Sequence, residues 1–92
     1  MRILGVDPGL SGALALWCYG QWALLDMPTV GEGKRHELNG PGLCIWLRQY
    51  QPEHAYVEYA AARPFKFGVS YGAVKMALAA CGVPYTIVTP AK

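Results

Sequence analysis

Three short apolar runs within the first 27 residues constrain the fold more than any other feature of the chain. The runs RILGV, ALALWC and QWALLDM have the length and composition of β-strands. DPGLSG joins the first two runs and Tyr19-Gly20 joins the last two, and both connections contain the residues of tight turns. Because connections this short join antiparallel neighbours, we predict strands at residues 2–6, 13–18 and 21–27 that form an antiparallel meander.

The remainder of the chain predicts two helices that alternate with two more strands. Asn39 is a suitable N-cap with Pro41 behind it, and apolar residues at helical spacing predict a helix at 41–50. HAYVEY and YTIV predict strands at 54–59 and 85–88, with a helix at about 67–81 between them. Residues 28–40 are polar and glycine-rich, which predicts a surface loop. The buried face expected for the second helix comprises Val69, Ala73, Met76, Ala77 and Ala80.

This order, β-β-β-α-β-α-β, predicts a mixed five-stranded sheet with the strand order 3-2-1-4-5. Crossovers between parallel strands are right-handed, so both helices are expected on one face of the sheet. The other face is then apolar and uncovered, although sheets of this kind are usually covered on both faces. We therefore expect a further helix beyond residue 92 or a partner to cover it, and we expect the three tryptophans to cover sheet and helix faces.

The length of 92 residues predicts one domain spanning 1–92, and 53% hydrophobic residues are enough for a core. A net charge of +2 neither indicates nor excludes binding to nucleic acid. Three widely spaced cysteines form no metal-binding pattern, and they predict reduced thiols in a cytoplasmic protein. The sequence contains neither a signal peptide nor an apolar segment long enough to cross a membrane.

Two carboxylates lie at strand ends that this topology brings together. Asp7 directly follows the first strand, and Glu58 lies near the end of the fourth strand in the apolar run AYVEYAAA. Neighbouring strands are about 4.8 Å apart, and two like charges at that separation repel unless a cation lies between them. Mg²⁺ and Mn²⁺ suit such oxygen ligands. The alternatives are that Asp7 serves the turn before Pro8-Gly9 and that Glu58 is an exposed or edge residue.

The segment ILGVDPGLSGALAL resembles the first motif of the RuvC-like Holliday junction resolvases, which belong to the ribonuclease H-like superfamily. DMPT, HAYVEY and FGVSYGAVKMALAACGVPYTIVTPAK follow in the order found in that family, so the resemblance covers essentially the whole chain. It implies a ribonuclease H-like α/β fold and a metal-dependent endonuclease that resolves four-way DNA junctions in recombination and repair. A homodimer, formed through the uncovered sheet face, is expected as well.

The resemblance also implies roles for individual residues. Asp7 and Glu58 match the first and second metal-binding catalytic acids, with Mg²⁺ or Mn²⁺ as the cofactor. Ser11 is either a phosphate contact or a turn residue, the cations are either phosphate contacts or solvated charges, and Phe65 and Phe67 either contact bases or complete the core. The candidate nucleic-acid contacts are Ser11, Lys34, Arg35, Arg63, Phe65 and Lys66.

The sequence departs from the family pattern in two places. The family carries further acidic groups on a helix after the fifth strand, whereas no Asp or Glu follows Glu58 here. The segment AAARPFK, which follows the fourth strand, is shorter than the glycine-rich loop of the family. We therefore expect the chain to be the N-terminal part of such a nuclease, truncated before its C-terminal helix and weak or inactive alone.

Two other functions fit parts of the pattern. One is a non-catalytic nucleic-acid-binding or scaffold module of the same fold. The other is a fragment of a sugar-kinase or actin-like ATPase, which shares the strand order and an acidic turn after the first strand, although the further phosphate-binding loops of those families are not found in this sequence.

Overall fold

The computed structural model of the chain describes residues 1–59 and 65–89, with the backbone alone at residues 65–67. The described elements are β1 (Ile3–Val6), β2 (Ala13–Cys18), β3 (Gln21–Asp26), β4 (Thr29–Val30), β5 (Glu37–Leu38), α1 (Gly40–Tyr50), β6 (His54–Glu58), α2 (Phe65–Ala80) and β7 (Tyr85–Val88).

The main sheet has five strands in the order β3-β2-β1-β6-β7, which confirms the predicted topology. β1, β2 and β3 pair antiparallel as a meander, while β6 pairs parallel with both β1 and β7. The β2–β3 turn places Tyr19 and Gly20 at φ values of 52° and 77°. Positive φ at both central residues matches the twist of a tight hairpin, so this turn sets the register that brings Trp17 opposite Trp22.

One face of the sheet and both helices share a single hydrophobic core. The strands contribute alternate residues such as Leu4, Leu14 and Val57, because successive side chains of a strand point to opposite faces. Leu47 of α1 and Leu78 of α2 pack against them. Both helices therefore lie on the same face, as predicted, and the chain has an α/β fold with a mixed five-stranded sheet.

The sheet face opposite the helices, called the open face below, carries large apolar side chains. Leu24 is 78% exposed and Trp22 61% exposed, although both lie in the middle of β3. Trp22 lies on this sheet face as predicted, with its ring centroid 4.9 Å from that of Trp17, but most of its side chain stays exposed. The apolar residues of the open face are Ile3, Trp17, Trp22, Leu24, Tyr56 and Val88.

The segment 28–40 is more ordered than the predicted loop. Thr29 pairs with Leu38 and Val30 with Glu37, so β4 and β5 form a small hairpin whose tip is a single 3₁₀ turn at Gly33–Arg35. Met27 anchors the start of this hairpin by donating its backbone N–H to the carbonyl oxygen of Gly12 at 3.0 Å. The loop prediction was wrong because two-residue strands are too short to show an alternating pattern.

The buried face of α2 also differs from the predicted one. Ser70, Val74, Ala77 and Leu78 are buried. Three predicted core residues are exposed instead: Val69 at 53%, Met76 at 69%, and Ala80. Apolar residues lie all around this helix, so their spacing does not identify the side that meets the sheet.

All three cysteines are free thiols. Burial, together with the neighbouring Cys44, raises the pKa of the Cys81 thiol. Cys81 follows the C-terminal end of α2. It lies at the end of the sheet opposite the carboxyl ends of β1 and β6. No helix in residues 1–59 or 65–89 has both the length and the apolar character needed to cross a membrane.

Candidate metal and nucleic-acid site

Asp7 and Glu58 lie next to each other at the carboxyl ends of two adjacent parallel strands. In the register of β1 and β6, Val6 pairs with Val57, so the two acids occupy the next position on each strand. Val6 and Val57 point into the core, and strand alternation directs the following side chains onto the open face. The two carboxylates therefore share one face and one end of the sheet, as expected from the sequence.

The turn after β1 holds Asp7 in place through its backbone and its side chain. The Asp7 N–H donates to the carbonyl oxygen of Ala13 at 3.0 Å, which extends the β1–β2 ladder by one residue. The N–H of Gly9 donates to Asp7 Oδ1 at 3.3 Å. Asp7 therefore does serve the turn, as the alternative interpretation held, and its Oδ2 has no hydrogen-bond partner among the described residues.

Gly12 permits the close packing of this turn. Its backbone N–H donates to the carbonyl oxygen of Gly9 at 2.9 Å, and its carbonyl accepts from Met27. A Cβ at Gly12 would lie 2.1 Å from the carbonyl oxygen of Asp7. This position therefore requires a residue without a side chain, and the requirement is steric.

Ser70 is a contributor to the site that the sequence analysis did not identify. This buried side chain of α2 donates a hydrogen bond from its Oγ to the carbonyl oxygen of Pro8. The bond joins α2 to the residue that follows Asp7. A lone serine in an otherwise apolar helical segment, FGVSYG, was the available signal.

The chemistry of the two carboxylates fits a hydrated divalent cation. Mg²⁺ keeps several of its waters and is commonly held by one or two carboxylates plus substrate phosphates. Asp7 and Glu58 supply hard oxygen donors from adjacent positions. The described residues contain no group of three or more His, Cys, Asp or Glu side chains that could hold a metal ion.

A third acid on the open face stands further away. Asp26 pairs with Ala13, which in turn bonds the backbone of Asp7, so β2 separates Asp26 from Asp7. Two strand spacings amount to about 10 Å. Asp26 therefore lies in the same row across the sheet as the candidate site without joining it.

The predicted nucleic-acid contacts fall in three places. Ser11 is exposed in the turn after Asp7, while Lys34 and Arg35 are exposed at the tip of the β4–β5 hairpin. Phe65 and Lys66 begin α2, although they were expected in a loop. Arg63, and the side chains of Phe65 and Lys66, lie outside the described residues.

A cleft lies between the tip of the β4–β5 hairpin, the turn after β1 and helix α2. Its lining includes Leu10 of the turn, Lys34 and Arg35 of the hairpin, and Ser70 of α2. The predicted cations are thus on the same side of the molecule as the turn that carries Asp7.

In its fold the chain is similar to the ribonuclease H-like α/β proteins. Within this class the chain is similar to RuvC of T. thermophilus solved in complex with Holliday junction substrate, with a TM-score of 0.70 and 23% identity over 98% of this chain and 65% of that chain. A second Thermus thermophilus RuvC structure matches with a TM-score of 0.67 and 23% identity, over 98% of this chain and 64% of that chain.

YeaZ from Pseudomonas aeruginosa is more distant, with a TM-score of 0.56 and 13% identity over 96% of this chain and 43% of that chain. No protein-family model and no curated protein matches the chain. The chain thus has the RuvC fold and spans 65% of the length of the RuvC chain bound to a junction.

Proposed function

We propose that the chain acts in a divalent-metal-dependent endonuclease that hydrolyses phosphodiester bonds in branched DNA, with four-way junctions as the substrate. The observation that carries this proposal is the adjacent placement of Asp7 and Glu58 on one face and one end of the sheet. The RuvC fold supports it, since one of the RuvC structures to which the chain is similar holds Holliday junction substrate.

In this proposal Asp7 and Glu58 hold Mg²⁺ or Mn²⁺, which when bound activates a water and stabilises charge on the leaving oxygen. The Gly9 N–H fixes the orientation of the Asp7 carboxylate. Ser11, Lys34 and Arg35 contact phosphates of the substrate, with Arg63, Phe65 and Lys66 as further candidate contacts.

Cleavage of a four-way junction by the purified chain tests the proposal. A linear duplex of the same sequence serves as the substrate control, and each is incubated with Mg²⁺, Mn²⁺ or EDTA. Because the chain is expected to be weak alone, the protein is used in excess over the DNA with long incubation, and we expect slow cuts near the branch point only with a metal ion and only in the junction. Binding of the junction without cleavage under every metal condition would refute the endonuclease and favour the binding module of the same fold.

We also propose that a second copy of the chain covers the apolar part of the open face and leaves the strand ends that carry Asp7 and Glu58 accessible. Leu24 and Trp22 are exposed there on the edge strand β3, and Tyr56 is exposed on β6, with Trp17 of β2 and Ile3 of β1 between them. Contiguous exposed apolar surface of this kind marks an interaction site, and closed twofold dimers are the commonest homo-oligomers.

Sedimentation equilibrium of the Leu24→Asp variant tests this dimer. We expect the wild-type chain to dimerise. The dimer dissociation constant of the variant should be at least about tenfold higher, because a carboxylate buried in an apolar interface is strongly unfavourable. Ile45→Asp is the matched control, since Ile45 is 64% exposed on α1 and lies away from the open face. A wild-type chain that stays monomeric at high concentration would contradict the proposal.

A further inference from the structure

The cleft between the β4–β5 hairpin and α2 has a volume of about 260 Å³. It is open to solvent along the exposed hairpin tip, and Ser70 lies at its inner side. Small-molecule sites usually span about 300 to 1,000 Å³. The cleft is therefore close to the small end of that range, which suits one nucleotide unit rather than a longer ligand.

The walls of the cleft are apolar. They are formed by Leu10 from the turn, Leu38 from β5, and Val69 and Ala73 from α2. Val69 is 53% exposed, although it lies on a helix that carries much of the core. An exposed apolar wall on both sides of a narrow cleft favours a flat, largely apolar group such as a nucleobase.

The rim of the cleft carries positive charge. Lys34 and Arg35 are exposed, and neither side chain has an ion-pair or hydrogen-bond partner among residues 1–59 and 65–89. Glu37 also lines the cleft, and its carboxylate can accept a hydrogen bond from the amino group of a base. The rim thus offers two cationic groups for a phosphate and one acceptor for a base edge.

We propose that this cleft binds one unstacked nucleotide of the DNA, with the base between the apolar walls and its phosphate at Lys34 and Arg35. The inference rests on the proposed function for the identity of the nucleic acid. The cleft adjoins the turn that follows Asp7, because Leu10 belongs to that turn and lines the cleft.

The test combines a cleft-filling variant with removal of single bases from the DNA. Ala73→Leu fills the cleft without changing charge, and Ala79→Leu is the matched control at an exposed position further along the same helix. Binding is measured in EDTA, so that cleavage does not enter the readout. The probes are a four-way junction with one abasic site at a time beside the branch point, and a single-stranded oligonucleotide with the same replacements.

At one base position we expect Ala73→Leu and removal of the base each to weaken binding by about tenfold. The two changes together should also weaken binding by no more than about tenfold, because both remove the same contact. Ala79→Leu is expected to bind as the wild type. The proposal is overturned if Ala73→Leu binds like Ala79→Leu, if the two losses multiply at every position, or if neither DNA is bound.

A second variant keeps the test independent of packing at Ala73. Lys34→Gln should weaken binding of both DNAs. It should also reduce the magnitude of the slope of log affinity against log salt by the amount that corresponds to about one phosphate contact. Arg48→Gln, an exposed cation at the end of α1, is its control. If the losses from Ala73→Leu and base removal are non-additive but the junction is not cleaved, the cleft proposal is supported and the endonuclease is refuted. If the junction is cleaved but the two losses multiply, the endonuclease is supported and the cleft proposal is refuted.

Discussion

Replacement of Asp7 by asparagine is expected to lower the rate of junction cleavage at least about 100-fold, which corresponds to about 2.7 kcal/mol of lost transition-state stabilisation. Asparagine keeps an oxygen that can accept the hydrogen bond from the Gly9 N–H, now at 3.3 Å from Oδ1. The turn should therefore persist while the negative charge is lost. Single-turnover cleavage of a labelled junction at saturating Mg²⁺ measures the effect.

Asp26→Asn is the control for this variant. Asp26 carries the same side chain on the same face, separated from Asp7 by strand β2. Removal of its charge changes the net charge of the chain as much as Asp7→Asn does. We expect its cleavage rate to stay within about twofold of wild type. Equal losses in the two variants would show that the face acts through its overall charge, and the paired-carboxylate mechanism would then be wrong.

The same comparison separates binding from chemistry. If Asp7 only helped to hold the DNA, Asp7→Asn would bind the junction more tightly or more weakly while single-turnover cleavage at saturating protein stayed unchanged. A metal-ligand role instead predicts loss of cleavage at saturation with junction affinity nearly unchanged in EDTA. The two outcomes are measured on one set of samples.

The strand order and the placement of the two acids followed from the sequence because local rules decide them. Turns of two to six residues join antiparallel strands, and a right-handed crossover puts β6 beside β1. Once these neighbours are known, Asp7 and Glu58 must lie at the same end of the sheet. Their adjacency was predictable from topology without any knowledge of side-chain packing.

Other parts of the site depend on contacts that no local pattern reveals. The hydrogen bond from Ser70 to Pro8 joins residues 62 positions apart. The face that α2 buries is set by the sheet beneath it, since apolar residues surround the helix and leave its rotation open. The cleft depends on both features, because Val69 and Ala73 line it only when α2 turns Val74 and Leu78 to the core.

Gly12→Ala is expected to lower the free energy of unfolding by about 3 kcal/mol, near the upper end of the usual cost of overpacking. For a chain of this size that corresponds to a fall in Tm of roughly 12 to 24 °C. The added Cβ would lie 2.1 Å from the carbonyl oxygen of Asp7 and 2.9 Å from that of Gly9. Both are backbone atoms, and the carbonyl oxygen of Gly9 also accepts the N–H of Gly12, so the turn must deform and carry Asp7 with it.

Gly5→Ala is the matched control because it makes the same substitution on β1, the strand that precedes this turn. A Cβ at Gly5 would meet its nearest atom, the carbonyl oxygen of Ala15, at 3.9 Å, which is ordinary van der Waals contact. This variant should be as stable as wild type or more stable by up to about 1 kcal/mol, because alanine restricts the unfolded chain more than glycine does. Chemical denaturation of the three proteins at equal concentration measures the difference. Equal stability of Gly12→Ala and Gly5→Ala would show that the turn relaxes without cost, and the steric account of how Asp7 is held would be wrong.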